Sequence, residues 1–362
     1  MDATALVPAP DTIPASWGVF EFLDIFTLII HFLLINIVVG GTLLLFYQHF
    51  IRRTTPDDST WFGPPFVKKI PSLIALGVTF GVAPLLFLQV LYGHLIYTSS
   101  ILMALFWILI IPFLILAYYS AYVVARSKDK RSRLSRIALV VMTLIVLYIP
   151  LMFVNNMTLM LQPERWTGYF DQRNGTLLNL SDPTVIPRYL HFLAASVAIA
   201  ALFGAVYWWW KSRKDKSEVA AGHIQSGLRV FALATAVQMI AGFWLLLALP
   251  RDVTLLFTGD NMLYTSFLFI GVVLATLSLV FGLLGKLLPT FIHLFLTLVV
   301  MVVIRAFLRS AYLQSFFSVE SLEVAPQTSV MILFFMVFVI GLVSVAYMLK
   351  LAFGNKQEEA AL

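Results

Sequence analysis

Long apolar stretches alternate with short polar ones along the whole of this chain. Each stretch reaches or exceeds the roughly 20 residues that an α-helix needs to cross the hydrocarbon core of a bilayer. We therefore predict an all-α, polytopic membrane bundle of about nine transmembrane helices, forming a single domain over residues 1–362. We find no convincing internal repeat. The predicted spans are 20–50, 70–97, 100–125, 137–161, 186–210, 224–249, 263–285, 287–313 and 329–352.

The composition agrees with this interpretation. Hydrophobic residues make up 60% of the chain and charged residues only 12%, about half of the charge that a soluble domain carries. Cysteine is absent, which excludes disulfides, thiolate-held iron–sulfur clusters and covalently attached c-type haem. The start of the chain lacks the features of a cleaved secretory signal peptide, so we interpret the first apolar run as a retained helix.

The distribution of lysine and arginine predicts the orientation of the bundle. If the N-terminus lies outside and the C-terminus in the cytoplasm, 18 of the 24 Lys and Arg residues fall on the inner side. Cytoplasmic loops of membrane proteins carry this kind of excess. The formal net charge of +6 is therefore explained by topology, and we expect no binding to nucleic acid.

The six histidines divide into two groups by depth. An ionisable residue inside the membrane is a candidate functional residue, and neutral imidazoles on facing helices can ligate haem iron. The alternative for each histidine is a simple hydrogen bond to a neighbouring helix. The outer group is His31, His94 and His191, and the inner group, which we treat as secondary candidates for haem iron, is His49, His223 and His293.

Two arginines form a second candidate feature. Arg305 and Arg309 stand four residues apart in the outer half of the eighth predicted span, so they share one helix face. Haem propionates are suitable partners, because arginine binds carboxylates in a bidentate manner. Pairing with Glu21 or Asp24, which enter the first span from the same side, is the alternative, and the sequence does not decide between them.

Acidic residues are absent from most of the predicted spans. After Asp24, no Asp or Glu lies within any of them. Oxygen reduction inside a membrane consumes protons, and proton relays are usually built from buried carboxylates or histidines. A proton-coupled transporter needs the same kind of path. The few polar residues inside spans include Asn155, Asn156 and Gln238, which we interpret as helix–helix hydrogen-bonding groups.

Two segments resemble subunit I of the cytochrome bd quinol oxidases. One begins at Ile30 and reads IHFLLINIVVGGTLLLFYQHF; it is similar to the family's first helix, and His31 falls where the ligand of the high-spin haem lies. The other begins at Tyr189 and reads YLHFLAASVAIAALFGAVYWWWKSRKD; it is similar to the fifth helix, with His191 on the ligand of the low-spin haem b. Weaker similarity covers LGVTFGVAPLLFLQVLYGH, VNNMTLMLQP and RSAYL, the last with Arg309 on the arginine of the family's GRQPW motif.

The chain departs from this family where the resemblance would imply oxygen and quinol chemistry. Its third span, SSILMALFWILIIPF, has no acid where the family has glutamates, and AFL precedes Arg309 where a further glutamate is expected. The outer quinol-binding loop is reduced to about LPRDVTLLFTGDN. The methionine that the family places opposite the helix-five histidine has no clear counterpart, and Met262 is the nearest candidate. His94 is additional to the family pattern and is a candidate replacement for a lost ligand.

We therefore interpret the chain as a b-type haem subunit of an electron-transfer complex rather than a complete oxidase. One or two haems b near the outer face would exchange electrons with an outer-side partner such as a cytochrome c, docked on loops 162–187 and 314–328. Other membrane subunits of a respiratory-type complex and the lipid bilayer are further expected partners, and quinone binding is left open. The resemblance implies a prokaryotic cytoplasmic membrane, that is, a cell inner membrane.

Two alternatives remain at this point. A divergent terminal oxidase would consume oxygen and contain a high-spin haem that binds carbon monoxide. A non-redox scaffold or transporter on a degenerate bd-type fold would contain no cofactor. The missing charged residues count against an ion transporter but not against a scaffold.

Overall fold

The computed structural model of the chain describes residues 3–53, 61–130, 132–171, 173–213 and 218–358. Within these ranges, nine helices are long and apolar enough to cross a membrane, which confirms the predicted all-α polytopic bundle. The helices in chain order are α1 Trp17–Phe46, α2 Pro64–Leu102, α3 Ala104–Ile108, α4 Ile110–Arg126, α5 Arg133–Met160, α6 Val185–Ser212, α7 Glu218–Ala248, α8 Arg251–Leu255, α9 Met262–Leu283, α10 Leu287–Leu313 and α11 Thr328–Glu358.

Helix ends differ from the predicted spans in a few places. A π-helical turn, Tyr47–Ile51, extends α1, and a second one, Leu256–Asp260, follows α8. The second span runs on to Leu102 and breaks at Met103, so the third span, made of α3 and α4, starts later than predicted. The length of an apolar run locates a span well. The break at Met103 lies between apolar residues on both sides, so hydropathy does not reveal it.

The order of helix contacts repeats between the two halves of the chain. In the first half α1 packs on α2, α2 on α4, and α4 on α5; in the second half α6 packs on α7, α7 on α9, and α9 on α10. Between the halves, α1 contacts α6 and α10, and α6 contacts α5. The two four-helix units are therefore equivalent in their contacts, with α1 corresponding to α6. The sequence does not reveal this repeat, because most lipid-facing positions need only be apolar and their identities differ.

The contact between α1 and α6 joins the two units. A methyl group added to Gly40 would overlap the backbone carbonyl of Ser196, so only glycine permits this approach of the two helices. The Ser196 hydroxyl donates a 2.6 Å hydrogen bond to Oδ1 of Asn36. About one turn away, the rings of Phe32 and Phe192 pack with their centroids 6.2 Å apart. Small residues and interhelical hydrogen bonds are what hold helices together in lipid.

The outer loops fold over the ends of the helices. Trp166 lies on the short 3₁₀ segment Pro163–Phe170 and donates its indole hydrogen to the carbonyl of Leu159 at 2.8 Å. Farther along, the backbone N–H of Asn179 donates to the side-chain oxygen of Asn155 at 2.8 Å. On the other loop, the backbone groups of Ile13 pair with those of residues 323 and 325. Both outer loops thus have fixed positions above the bundle.

The opposite end of the bundle is basic and aromatic. Lys211 lies over the Trp208 ring at 4.7 Å, Arg213 over Trp209 at 4.6 Å, and Arg136 over the ring of Phe50 at 5.5 Å. This arrangement suits the predicted cytoplasmic interface, where aromatic and basic side chains collect. Of the residues counted on that side, Arg131, Lys214 and Lys216 lie outside the described residues. The orientation across the membrane stays a prediction.

We expect Gly40→Ala to weaken the joint between the two four-helix units. The added methyl group meets backbone rather than a movable side chain, and overpacking of this kind costs about 1–3 kcal/mol of unfolding free energy. The matched control is Gly222→Ala on α7, where an added Cβ has nothing within 4 Å. Reversible unfolding in mixed micelles measures both variants. Equal stability of the two would show that α1 and α6 do not approach so closely.

Candidate functional site

His31 lies on α1 with its ring against α2. Its Nδ1 is 2.9 Å from the backbone carbonyl oxygen of Gly77. A carbonyl only accepts hydrogen bonds, so Nδ1 carries the proton and Nε2 keeps a free electron pair. The ring also needs Gly81, because a Cβ there would lie 2.6 Å from its Cε1 atom. The hydrogen bond to Gly77 and the contact at Gly81 thus hold the imidazole against α2. Nε2 is the nitrogen with a free electron pair for a ligand.

His191 repeats this arrangement on α6 and α7. Its Nδ1 is 3.0 Å from the carbonyl oxygen of Gln238, and a Cβ on Gly242 would lie 3.0 Å from the same nitrogen. The carbonyl and the glycine are four residues apart on α7, just as they are on α2. The side-chain amide of Gln238, which we predicted to bond between helices, donates a 3.4 Å hydrogen bond to Nε2 of His191, and a metal ligated by this nitrogen would displace it. The two histidines therefore occupy equivalent positions in the two halves.

The helix contact places the two histidines on opposite sides of the α1–α6 pair. His31 precedes Asn36 by five residues, and His191 precedes Ser196 by five. At 3.6 residues per turn, each histidine lies about 140° around its helix from the hydrogen bond that joins the helices. Both rings therefore point away from the α1–α6 contact, one toward α2 and the other toward α7, at the same depth along the helices. They cannot serve as two axial ligands of one iron.

His94 does not join either ring. It lies 13 residues beyond Gly81 on α2, about 20 Å along the helix at 1.5 Å per residue. Its ring meets that of Phe317 edge-on, with centroids 4.5 Å apart, and its Nε2 is buried without a hydrogen-bond partner among the described residues. His94 is therefore too far from His31 to share an iron with it, and its role as a ligand in another place stays a prediction.

The remaining ligand candidates lie apart from the two rings. Each inner histidine packs against an aromatic side chain: His49 against Phe50 at 4.8 Å, His223 against Trp208 at 4.4 Å, and His293 against Phe281 at 5.0 Å. His293 also bonds the Pro289 carbonyl of its own helix at 2.8 Å. Met262 is the first residue of α9 and is 80% exposed, so it does not face the interior of the bundle as a ligand would.

Arg309 is bound by an acidic residue of the first helix. Its Nη2 atom lies 3.1 Å from Oδ2 of Asp24, and the two side chains are only 5% and 4% exposed. The guanidinium carbon also lies 4.3 Å from the centre of the Tyr92 ring. Of the two partners that the sequence left open for Arg309, the structure shows the carboxylate of Asp24.

A partly open cavity lies beside this ion pair. Its volume is about 280 Å³, including the part that opens to the surroundings. Arg305 reaches it with Nη2, 3.5 Å from the sulfur of Met157. Its lining consists of Met157, Met160 and Leu161 from α5, Arg188 from α6, and Arg305, Leu308 and Arg309 from α10.

Arg188 is the site residue that the sequence interpretation missed. It was counted only as an outer charge, although it stands three residues before His191 and so shares a helix face with it. The same spacing argument had been applied to Arg305 and Arg309, and it would have found Arg188. Its Nε and Nη2 atoms are buried with no hydrogen-bond partner in the described structure, as are Nε and Nη1 of Arg309.

No protein-family model and no curated protein matches the chain by sequence. Among the described residues, no three His, Cys, Asp or Glu side chains gather as a metal site. A haem needs only one or two axial side chains from the protein, so this finding bears on multi-ligand metal centres alone. The function has to be inferred from the histidines and arginines themselves.

We expect Asp24→Asn to destabilise the protein, because it leaves the Arg309 charge buried without its partner. Breaking a buried ion pair costs about 3–5 kcal/mol. The double variant Asp24→Asn, Arg309→Gln should lose less than the two single variants together. Asp252→Asn on α8, an exposed position, is the control. Unfolding of the wild-type protein, the two single variants and the double variant in detergent gives the coupling energy between Asp24 and Arg309. A coupling energy near zero would contradict the buried pair.

Proposed function

We propose that this chain is a b-type haem subunit of a membrane electron-transfer complex, with one haem on His31 and another on His191. The observation that carries the proposal is the repeated Nδ1 hydrogen bond to a backbone carbonyl, 2.9 Å for His31 and 3.0 Å for His191. Metal-ligating histidines characteristically donate their second ring nitrogen in this way, which fixes the tautomer and the ring orientation. The similarity to cytochrome bd subunit I in the same two segments supports the same assignment.

The chemistry of the side chains near the two rings supports a haem there, and the cavity beside Arg309 is lined by neither histidine. The porphyrin is apolar and suits a membrane interior, whereas its propionates need cations or water. Arg188 stands one turn outward of His191, and Asp24, two turns outward of His31, holds Arg309. Cationic side chains thus lie on the outer side of both histidines. A haem bound at either histidine would supply reversible one-electron chemistry at its iron.

In this proposal the protein orients the two histidine rings, keeps the two haem sites apart and surrounds the haems. The carbonyls of Gly77 and Gln238 hold the rings, while Gly81 and Gly242 let each ring lie close to its neighbouring helix. The α1–α6 contact keeps the two sites in adjacent helices. Two separate one-ligand sites support two haems, a number within the range that the sequence left open.

The ion pair between Asp24 and Arg309 favours an electron carrier over a terminal oxidase. Asp24 is the last carboxylate along the predicted spans, and it is engaged by Arg309 in a buried pair. A carboxylate held in this way has no free role in relaying protons to oxygen. The purified protein should accordingly sustain no catalytic oxygen consumption with an artificial electron donor.

An outer-side redox partner is part of this proposal. On the first of the two predicted outer loops, the exposed Glu164 and Asp171 are offset by the exposed Arg165 and Arg173. On the second, the exposed Glu320 and Glu323 have no Lys or Arg near them in residues 314–328. Acidic surface charges attract and orient a partner with a basic patch, and they raise the association rate most at low salt. A cytochrome c with such a patch is the partner that we propose, beside other membrane subunits of a respiratory-type complex.

The optical spectrum of the purified protein tests the proposal. We expect a reduced-minus-oxidised spectrum of haem b, with His31→Ala and His191→Ala each losing about half of the haem and the double variant losing all of it. His293→Ala is the matched control and should keep the full amount, because that ring bonds a carbonyl of its own helix. Wild-type protein without haem, prepared from haem-replete cells, would refute the proposal, as would full haem content in both single variants.

A further inference from the structure

Three guanidinium groups meet at the cavity between α5, α6 and α10, and carboxylates balance them only in part. In the part of the chain that the structure describes, Asp24 is the one acid in an ion pair with them, and it contacts Arg309. The buried carboxylate of Asp182 interacts electrostatically with Arg188 without forming an ion pair, and Arg305 is in no ion pair there. A surplus of positive charge therefore remains inside a membrane protein, where an isolated charge is costly.

The unpaired guanidinium nitrogens also lack hydrogen-bond acceptors. Four of them, Nε and Nη2 of Arg188 and Nε and Nη1 of Arg309, are buried without a partner among the described residues. The nearest group to Nη2 of Arg305 is a thioether sulfur, which is a weak acceptor. Water would supply acceptors but no charge, whereas an oxyanion supplies both.

We propose that this cavity binds an oxyanion, a carboxylate or phosphate group, through Arg188 and Arg305, with the Arg309–Asp24 pair as a fixed wall. The planar guanidinium fork matches both kinds of oxyanion in a bidentate manner. Met157, Met160 and Leu308 supply apolar walls, so the anion is the polar head of an amphipathic molecule. The site does not depend on the haem proposal: a haem propionate and a phospholipid headgroup are two sources of the same chemistry.

The sign of a stability change tests whether the anion is there. If the cavity binds an oxyanion, Arg188→Gln and Arg305→Gln lower the melting temperature by several degrees, because each removes a ligand of the anion. If it binds none, each variant relieves repulsion between buried cations and the melting temperature stays the same or rises, which overturns the proposal. Arg251→Gln, at an exposed position on α8, is the control for loss of a surface charge.

Inorganic phosphate is the probe that keeps the test independent of folding in the variants. Added to delipidated wild-type protein prepared from haem-deficient cells, it should raise the melting temperature in a saturable manner, whereas sodium chloride of equal ionic strength should not. The Arg188→Gln, Arg305→Gln double variant should show no such rise. Equal effects of phosphate and chloride on the wild-type protein would overturn the proposal even if the variants fail to fold.

Two further measurements identify the source of the oxyanion. Loss of about one tightly bound phospholipid per chain in Arg188→Gln, with unchanged haem content and midpoint potential, would assign the site to a lipid phosphate. A lower midpoint potential of the haem on His191, with unchanged lipid, would assign it to a propionate. The positive charge of Arg188 beside the haem stabilises the reduced state, and the variant lacks this charge. A phosphate response in protein that never binds haem would refute the proposed function while supporting this site.

Discussion

The close contact between α1 and α6 is the constraint on which the rest of the structure depends. Gly40 against the Ser196 carbonyl brings the two helices together, and the Asn36–Ser196 hydrogen bond sets their register. In lipid no hydrophobic force pulls helices together, so close packing and a few polar bonds must do so. This one joint turns two similar four-helix units into a single arrangement with matching sites on either side.

The position of the candidate site follows from that joint. With Asn36 and Ser196 facing each other, His31 and His191 must point away from the contact, toward α2 and α7. Glycines on those helices receive the rings, and backbone carbonyls one turn earlier hold Nδ1. Arg188, Arg305 and Arg309 lie closer than the two histidines to the predicted outer face. This pair of oriented imidazoles, with arginines nearby, is the arrangement on which the proposed haem subunit rests.

The fold was largely predictable from the sequence, whereas the site was predictable only in part. Spans are a one-dimensional property, so all nine were found. The assignment of His31 and His191 as haem ligands stays a prediction. The packing relations were not visible: the repeat lies in contacts rather than residues, Asp24 was one of two possible partners for Arg309, and His94 proved to be remote. Arg188 was missed although its spacing from His191 contained the signal.

An experimental structure of the purified protein in lipid, determined by electron cryo-microscopy, tests the central claim most directly. The account predicts two flat porphyrin densities on opposite sides of the α1–α6 pair, one joined to Nε2 of His31 and the other to Nε2 of His191. A single porphyrin between the two histidines, or side chains filling the space beside both rings in protein from haem-replete cells, would contradict it.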